Sequence, residues 1–261
     1  MDIPESLITT TRVDQLDVNV YVHRKNIGVD AASHVVKKMK ELLSQKENIR
    51  MIFAAAPSQN DFLHVLTHAE GIDWSRVTAF HMDEYIGLSE DAPQRFSKFL
   101  RERLFNIVQP GSVHLINSSN QVNDECKRYG DLIQEESIDI VCLGIGENGH
   151  IAFNDPPVAD FQDEEIIKSV ELDEECRQQQ VNDGCFSTLD VVPHHALTLT
   201  IPTLMSGAHL YCVVPGKSKK QAVKKTLSGR VSTECPASIL TTHPDCTLYL
   251  DVDSYGSEDN E

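Results

Sequence analysis

Short apolar runs rich in β-branched residues recur along the chain, with longer and more polar stretches between them. Each run is apolar at nearly every position, whereas a strand with one face in water alternates apolar and polar residues. The pattern therefore predicts buried parallel strands at Val18–Val22, Arg50–Ala55, Val77–Met82, Ile138–Leu143, Ala196–Ile201, Leu210–Val214 and Thr247–Asp251.

Apolar residues at helical spacing mark four of the stretches between these strands. In the first, Asp30 can cap a helix whose apolar face recurs at i, i+4, i+7 and i+8. That face comprises Val35, Met39, Leu42 and Leu43. The other helices are expected around Phe96, Phe99, Leu100 and Leu104, over Val122–Glu136 and over Ser218–Leu227.

Strands that alternate with helices in this way predict a layered α/β fold with a mostly parallel sheet flanked by helices. The sequence contains no internal repeat and no Gly-, Ser- or Pro-rich linker. Residues 1–250 are therefore expected to form a single domain. The acidic segment Asp251–Glu261 is expected to follow it as a short solvated tail.

The charge balance narrows the range of partners. The 261 residues include 40 acidic and 23 basic side chains, which gives a formal charge of −17. A field of this sign repels nucleic acid and anionic membrane surfaces, so neither is expected as a partner. A small phosphorylated ligand remains compatible with it, because a few local donors outweigh a distant net charge.

Cysteine usage and the absence of targeting signals indicate a reducing compartment. The seven cysteines are odd in number and form no CxxC pair, which argues against a disulfide framework and a Cys₄ zinc site. The N-terminal residues show no signal-peptide pattern, and no run approaches the ~18 apolar residues of a membrane helix. The expected location is the cytoplasm.

Polar segments follow four of the predicted strands at their carboxyl ends, where ligands bind in sheets of this kind. The segments are 56–61, 83–85, 144–150 and 215–219. Because the carboxyl ends of parallel strands lie at one edge of the sheet, these segments are expected to share one pocket.

The segment Gly144–Pro156, GIGENGHIAFNDP, carries the clearest chemical signal. Its glycines let the backbone pass close to a ligand, and a carboxylate at Asp155 can fix the tautomer of His150 for proton transfer near neutral pH. A glycine-rich turn with a surface histidine is the alternative interpretation. The glycines do not follow the dinucleotide-binding pattern, so a nicotinamide cofactor is excluded.

Two further segments have both a catalytic and a structural interpretation. Asp83 and Glu84 end a buried strand, where a carboxylate with a raised pKa can act as a general base, although Asp83 can equally cap the next turn. His81 beside them is expected to pack or to form local hydrogen bonds. The adjacent pair His194 and His195 is an improbable metal site, because neighbouring side chains point in different directions.

Candidate anion ligands come from two helix starts. Ser58, Gln59 and Asn60 follow a strand and can present free N–H groups to an anion, or can simply cap a helix. Lys219 opens a later helix and can bind a phosphate as a point charge, or can belong to a solvated basic face.

At these residues the chain resembles the glucosamine-6-phosphate deaminase family, also called isomerases. The similarity covers roughly Ile52–Asp251 and four motifs in the family's order. These motifs are FHMDEYIGL (Phe80–Leu88), GIGENGHIAFNDP (Gly144–Pro156), VPHHALTLTIPTL (Val192–Leu204) and CPASILTTHPDCTLYLD (Cys235–Asp251).

The resemblance implies a Rossmann-like α/β sandwich that converts glucosamine 6-phosphate and water to fructose 6-phosphate and ammonia. Such enzymes open the sugar ring, move a proton between C2 and C1 and release the amine, and they need no cofactor and no metal. The implied partner is a small amino-sugar phosphate, and a homo-oligomer stays open.

The resemblance also assigns roles to residues of the motifs. Asp83 matches the carboxylate that moves the proton, His150 the ring-opening histidine, and Asp155 the acid that orients it, which is usually Glu in the family. Asn148 lies where many members carry Asp and some carry Asn. Lys219 matches the phosphate-binding lysine. The further substrate contacts are expected at Ser58, Gln59, Asn60, Glu84 and Gly149.

Two departures from the family pattern concern the phosphate. The TGGTP-like loop is replaced by Ala56–Asp61, where Pro57 removes an N–H donor. Gly184 stands where the family often has an arginine, and losing such a charge-assisted contact costs about 1.5–3 kcal/mol. The substrate is then another amino-sugar phosphate, or Ser58, Asn60 and Lys219 hold the phosphate differently.

Two other functions remain open at this point. One is a 6-phosphogluconolactonase-like hydrolase, since that related family has a similar Gly-His loop. The other is a non-catalytic sugar-phosphate sensor on the same scaffold, which the altered phosphate loop would permit.

Overall fold

The structure, a computed structural model, describes residues 6–256. Its strands are β1 (Leu7–Val13), β2 (Leu16–Tyr21), β3 (Ile49–Phe53), β4 (Val77–His81), β5 (Asp83–Tyr85), β6 (Ser112–His114), β7 (Ile140–Leu143), β8 (Ile167–Glu171), β9 (His195–Leu199), β10 (His209–Val214) and β11 (Cys246–Asp251).

Its α-helices are α1 (Arg24–Leu43), α2 (Asn60–Thr67), α3 (Phe96–Leu100), α4 (Asn106–Val108), α5 (Val122–Gln134), α6 (Glu174–Asn182), α7 (Ile201–Met205), α8 (Lys220–Thr226) and α9 (Val252–Tyr255). A π-helical turn, Arg101–Phe105, joins α3 to α4. Short 3₁₀ segments lie at Pro57–Gln59, Trp74–Arg76, Leu189–Val191, Lys217–Lys219 and Pro236–Thr242. Within residues 6–256, no helix combines the length and apolar character that crossing a bilayer requires.

The main sheet has the order β1-β2-β11-β10-β7-β3-β4-β6, and every neighbouring pair except β1–β2 is parallel. Both of its faces are covered. In β3, Met51 and Phe53 pack into the core that contains α1, whereas Ile52 between them packs into the core that contains α5. This burial on two sides explains the continuous apolar runs, and the predicted α/β fold is confirmed.

The chain reverses its direction of travel across the sheet between β3 and β7. From β3 it proceeds to β4 and β6 on one side, and then β7, β10 and β11 follow on the other side. The loops that leave the carboxyl ends of β3 and β7 therefore diverge and open a crevice between them. In α/β sheets this is the position at which ligands bind.

A small antiparallel sheet, β5-β9-β8, lies beside this edge. The predicted strand Ala196–Ile201 is wrong in its end and its sheet: β9 ends at Leu199 and pairs with β5 and β8. Thr200 then accepts a hydrogen bond from the Thr203 N–H and caps α7. An apolar run alone cannot distinguish a parallel strand from an antiparallel one covered on both faces.

The first predicted helix boundary is also wrong. Helix α1 begins at Arg24, and Asp30 lies inside it, where its carboxylate accepts a hydrogen bond from the Tyr21 hydroxyl. The sequence did not predict strands β1, β5, β6 and β8, because they are short or mix polar with apolar positions, as edge and antiparallel strands do.

The segment expected to be a solvated tail begins inside the fold. Asp251 ends β11, and its buried carboxylate accepts hydrogen bonds from Gly216 N–H at 3.0 Å and from Ser254 N–H at 2.8 Å. Through these bonds it caps α9 and holds the loop that follows β10. The prediction is therefore wrong for 251–256, and residues 257–261 lie outside the described residues.

We expect Asp251→Ala to lower the free energy of unfolding by about 2–4 kcal/mol, because two backbone N–H groups lose their acceptor. Urea unfolding followed by circular dichroism measures the change. Asp253→Ala, at an exposed neighbour on the same helix, serves as the matched control. Equal stability of the two variants would contradict the role given to Asp251.

Candidate active site

A cavity lies at the crevice between the β3 and β7 loops, and all four polar strand-end segments contribute to it. Helix α6 and the segment that follows it form the remaining wall. The lining residues include Ala54–Ala56, Ser58, Gln59, Met82, Asp83, Phe96, Gly144–Gly146, His150, Ala152, Phe153, Gln179, Gln180, Asp183 and Lys219.

The imidazole of His150 is held at one nitrogen and open to the cavity at the other. Its Nδ1 lies 2.9 Å from Asp155 Oδ1 and 2.8 Å from Asn148 Oδ1. The Asn148 amide is oriented by two further bonds, because Oδ1 accepts from the His150 backbone N–H and Nδ2 donates to Asp155. Both neighbours of Nδ1 are acceptors, so Nδ1 carries a proton and Nε2 is the nitrogen that can exchange one.

Asp155 is fully buried, and its environment keeps it ionised. Burial alone raises the pKa of this carboxyl, but the His150 charge and hydrogen bonds from His150, Asn148 and the Asp173 backbone N–H outweigh that effect and lower it. A carboxylate with three such partners stays negative and keeps its histidine in one tautomer.

The loop around His150 is shaped by glycines and anchored on β9. A Cβ at Gly146 would lie 2.1 Å from the His150 ring, and Gly149 has φ +90° with Cys235 Sγ 2.7 Å from a Cβ position. Asn154 Nδ2 donates to the Leu199 carbonyl at 2.9 Å. The glycines therefore make room for the site's own side chains. Gly149 is not among the residues that line the cavity, and its contact with substrate stays a prediction.

Asp83 lies at the start of β5, where pairing with β9 turns its side chain into the cavity. Burial raises the pKa of this carboxyl well above its usual value, and the charges of Glu84 and Asp155 raise it further. It accepts no hydrogen bond from the described residues that would oppose the shift. A carboxylate in such a site is a stronger base than one in water.

Glu84 makes structural contacts at the start of α3, and its contact with substrate stays a prediction. Neighbouring residues of a strand point to opposite faces, so Glu84 points away from the cavity that Asp83 lines. Its carboxylate accepts from the backbone N–H groups of Phe96 and Ser97 at the start of α3 and lies 3.5 Å from Arg95 Nε. His81 is buried behind it, with Nε2 at 3.8 Å from Glu84, and packs edge-on against Tyr129.

The strand-end segment Ser58–Asn60 divides into three different roles. Ser58 and Gln59 both line the cavity, and the Gln59 amide also donates to the Val213 carbonyl at 3.1 Å, which ties two loops together. Asn60 opens α2 and accepts from Arg103 Nε at 2.7 Å, outside the cavity. Asn60 is not among the residues that line the cavity, and its contact with substrate stays a prediction.

Lys219 carries the positive charge among the residues that line the cavity. Burial lowers the pKa of its ammonium group, while the charges of Asp183 and Glu147 oppose the shift. Gln180 also lines the cavity, and its side-chain amide has no hydrogen bond to the described residues. The lysine and the amide are both available to an anionic ligand.

Gly184 ends helix α6 in a left-handed conformation, with φ +74°. The N–H groups of Gly184 and Cys185 bond to the carbonyls of Val181 and Gln180, as in a glycine-terminated helix. Gly184 itself places no side chain in the cavity, so this wall has the Gln179 and Gln180 amides and the Asp183 carboxylate in place of an arginine.

Sequence reasoning missed the whole contribution of α6. Its sequence, EECRQQQVN, has no apolar stripe that would reveal a helix, and Gln180 and Asp183 belong to no recognisable motif. Cys176 of the same helix is buried. Its sulfur, a ring nitrogen of His150 and a carboxylate oxygen of Asp155 all lie within 4.8 Å of one another, and these three could hold a metal ion. Among the described residues, His194 and His195 belong to no such group.

Comparison with known proteins places this site in a family. Residues 23–249 match the family model for glucosamine-6-phosphate isomerases and 6-phosphogluconolactonases. The chain belongs to this family. The cavity that holds Asp83, His150 and Lys219 lies within the matched segment.

Relatives in this family include deaminases and lactonases. A glucosamine-6-phosphate deaminase from Exiguobacterium sp. is 34% identical over 223 residues, covering 85% of this chain and 85% of that protein. One from Bacillus velezensis is 39% identical over 194 residues, covering 73% and 78%. A monomeric glucosamine-6-phosphate deaminase of known structure has a TM-score of 0.83 at 30% identity, covering 91% and 98%. A 6-phosphogluconolactonase from Thermotoga maritima shares the fold, with a TM-score of 0.73 at 19% identity and coverage of 90% and 99%.

We expect Gly146→Ala to reduce turnover at least ~100-fold, because the new methyl group displaces the His150 ring from its place beside Asp155. Steady-state kinetics measures the loss, and circular dichroism verifies that the variant is folded. Gly130→Ala is the control, since a Cβ there meets only ordinary contacts at 3.6 Å or more. Full activity of Gly146→Ala would contradict the described packing.

Proposed function

We propose that this family member is an amino-sugar-phosphate deaminating isomerase that converts glucosamine 6-phosphate and water to fructose 6-phosphate and ammonia. The observation that carries the proposal is the meeting of Asp83 with the His150–Asp155 pair in one cavity. The deaminases of 34% and 39% identity support the choice of reaction. The reaction moves a proton and releases an amine, so it needs no redox cofactor.

His150 catalyses ring opening. Its Nε2 takes the proton of the anomeric hydroxyl and returns a proton to the ring oxygen, which breaks the C1–O5 bond and gives the open-chain aldehyde. Asp155 and Asn148 hold Nδ1–H throughout, so the ring stays in the tautomer that leaves Nε2 free for this exchange.

Asp83 catalyses isomerisation. The carboxylate removes the proton from C2 of the open-chain sugar while O1 takes up a proton from the substrate's ammonium group, which gives an enolamine. The carboxyl group then returns its proton to C1. The product is a C2 iminium ion, which water converts to the ketone with release of ammonia. A raised pKa suits this residue because the same carboxyl has to accept the proton and then donate it.

The phosphate end differs from the family pattern, and the proposal assigns it to Lys219, Ser58 and Gln180. The lysine supplies the charge, and the hydroxyl and amide supply hydrogen bonds. Asp183 in the same wall repels a dianion. We therefore expect weaker binding of phosphate than an arginine at position 184 would give, by about tenfold to a hundredfold.

The setting of the enzyme belongs to the same proposal. The seven cysteines are unpaired, which supports the predicted reducing, cytoplasmic location. A small-molecule substrate is compatible with the net charge of −17, because a few local donors can bind it despite the overall negative charge. The homo-oligomer considered from the sequence stays a prediction.

The test is an ammonia-release assay with glucosamine 6-phosphate, galactosamine 6-phosphate and the two unphosphorylated sugars. We expect ammonia and an equal amount of ketose phosphate from glucosamine 6-phosphate. Hydrolysis of 6-phosphogluconolactone without ammonia release would establish the lactonase alternative. Ligand-induced stabilisation without any turnover would establish the sensor alternative.

We expect Asp83→Asn to lower turnover by about 100- to 10,000-fold with little change in sugar-phosphate binding, since the amide cannot take up a proton. The same change should stabilise the fold at neutral pH. Burial raises the pKa of Asp83 in the folded state above its value in the unfolded state. The wild type therefore loses stability as the pH rises from the unfolded-state pKa through the folded-state pKa, whereas the asparagine variant does not titrate and has no such loss.

Thermal unfolding at pH 4 to 8 checks this sign. The melting temperature of Asp83→Asn should exceed that of the wild type at pH 8, and the difference should shrink toward pH 4. Asp91→Asn, at an exposed acid, is the control for a general loss of negative charge. A difference that grows toward acid pH would contradict the buried, raised-pKa state of Asp83.

A further inference from the structure

We propose that His150, Asp155 and Cys176 form a binding site for a thiophilic divalent cation such as Zn²⁺, and that the bound ion blocks the proton exchange of His150. Nothing in the family resemblance accounts for a thiol at this place. Metal binding follows from the geometry alone, whereas the block of activity rests on the function proposed above.

The three side chains come from two elements that converge beneath the cavity. His150 and Asp155 belong to the loop after β7, and Cys176 lies in the first turn of α6, behind Asp155. His150 lines the cavity, which gives an ion a route from solvent, whereas Cys176 does not line it. The sulfur therefore closes the site on the side away from substrate.

The spacing suits zinc. One atom from each residue lies within 4.8 Å of the other two, and His150 Nδ1 lies 2.9 Å from Asp155 Oδ1. Zinc bonds sulfur at about 2.3 Å and nitrogen or oxygen at about 2.0–2.2 Å. An ion at the centre of these three atoms thus needs only small side-chain shifts, and its fourth position can hold water.

The charge balance also suits a divalent ion. Binding releases the thiol proton to solvent and leaves a thiolate, a carboxylate and a neutral imidazole, whose two negative charges equal the charge of the ion. A thiolate favours Zn²⁺ and Co²⁺ over Mg²⁺ and Ca²⁺, which prefer oxygen ligands. The site is therefore selective for soft and borderline cations.

Metal binding changes the state of the histidine. An ion on Nδ1 displaces the single N–H proton of the neutral ring from Nδ1, and this proton moves to Nε2. The nitrogen that faces the cavity then has no lone pair with which to accept the anomeric proton. Asp155 also leaves its hydrogen bond with Nδ1 to become a ligand.

Binding is tested on the full-length protein after treatment with a chelator, by titration with CoCl₂ and then with ZnCl₂. We expect a near-ultraviolet thiolate-to-cobalt charge-transfer band at one equivalent, which Zn²⁺ abolishes. Cys176→Ala and Cys176→Ser should lose this band and bind Zn²⁺ at least ~100-fold more weakly, since even indirect partners of a zinc site are worth 10–100-fold.

Cys185→Ala is the matched control, because it removes a partly buried thiol outside the group. It should keep the cobalt band. A wild-type protein without the band, or a band that survives in both Cys176 variants, would overturn the site. Thermal unfolding of each variant verifies that the fold is kept.

Inhibition is measured separately, as ammonia release with increasing ZnCl₂ and relative to the metal-free rate of each protein. We expect the wild type and Cys185→Ala to be inhibited over the range in which Zn²⁺ binds, and the Cys176 variants to require at least ~100-fold more. Zinc binding without inhibition would contradict the proposed block of activity but would leave the proposed metal site intact. Absent ammonia release in the metal-free wild type would count against the proposed function alone.

Discussion

The hydrogen bond between Asp155 and His150 is the interaction on which the site depends. It fixes the proton on Nδ1 and directs Nε2 toward the cavity, and the surrounding chain is built to preserve it. Asn148 bridges the two side chains, Gly146 leaves room for the ring, and Asn154 ties the loop to β9. Because β9 also pairs with β5, the same strand sets the position of Asp83.

The surroundings of two aspartates near one cavity shift their pKa values in opposite directions. Asp155 receives hydrogen bonds and a neighbouring positive charge, which lower its pKa, whereas Asp83 is buried without such donors and its pKa is raised. Because their pKa values are shifted apart, one carboxyl group can remain an anion that orients the histidine, and the other can carry a proton. The division arises from what each loop places around the carboxyl group.

The central part of this site is predictable from the sequence because strand ends and ligand positions are linked in parallel sheets. Continuous apolar runs mark β3, β4, β7 and β10, and the residues that follow them put Asp83, His150 and Lys219 at one edge of the sheet. Side-chain alternation also separates Asp83 from Glu84, since adjacent strand residues face opposite sides. Helix α6 is not predictable from the sequence because nearly all of its residues are polar. Its role depends on its position in the tertiary structure, which no local sequence pattern indicates.

The glycine that ends α6 has a consequence for how this branch of the family can evolve. Position 184 adopts a conformation that disfavours any residue with a Cβ by roughly 1–2 kcal/mol. An arginine introduced there would bring this backbone strain together with its positive charge. Any gain in anion binding from such a side chain is thus offset in part by a loss of fold stability.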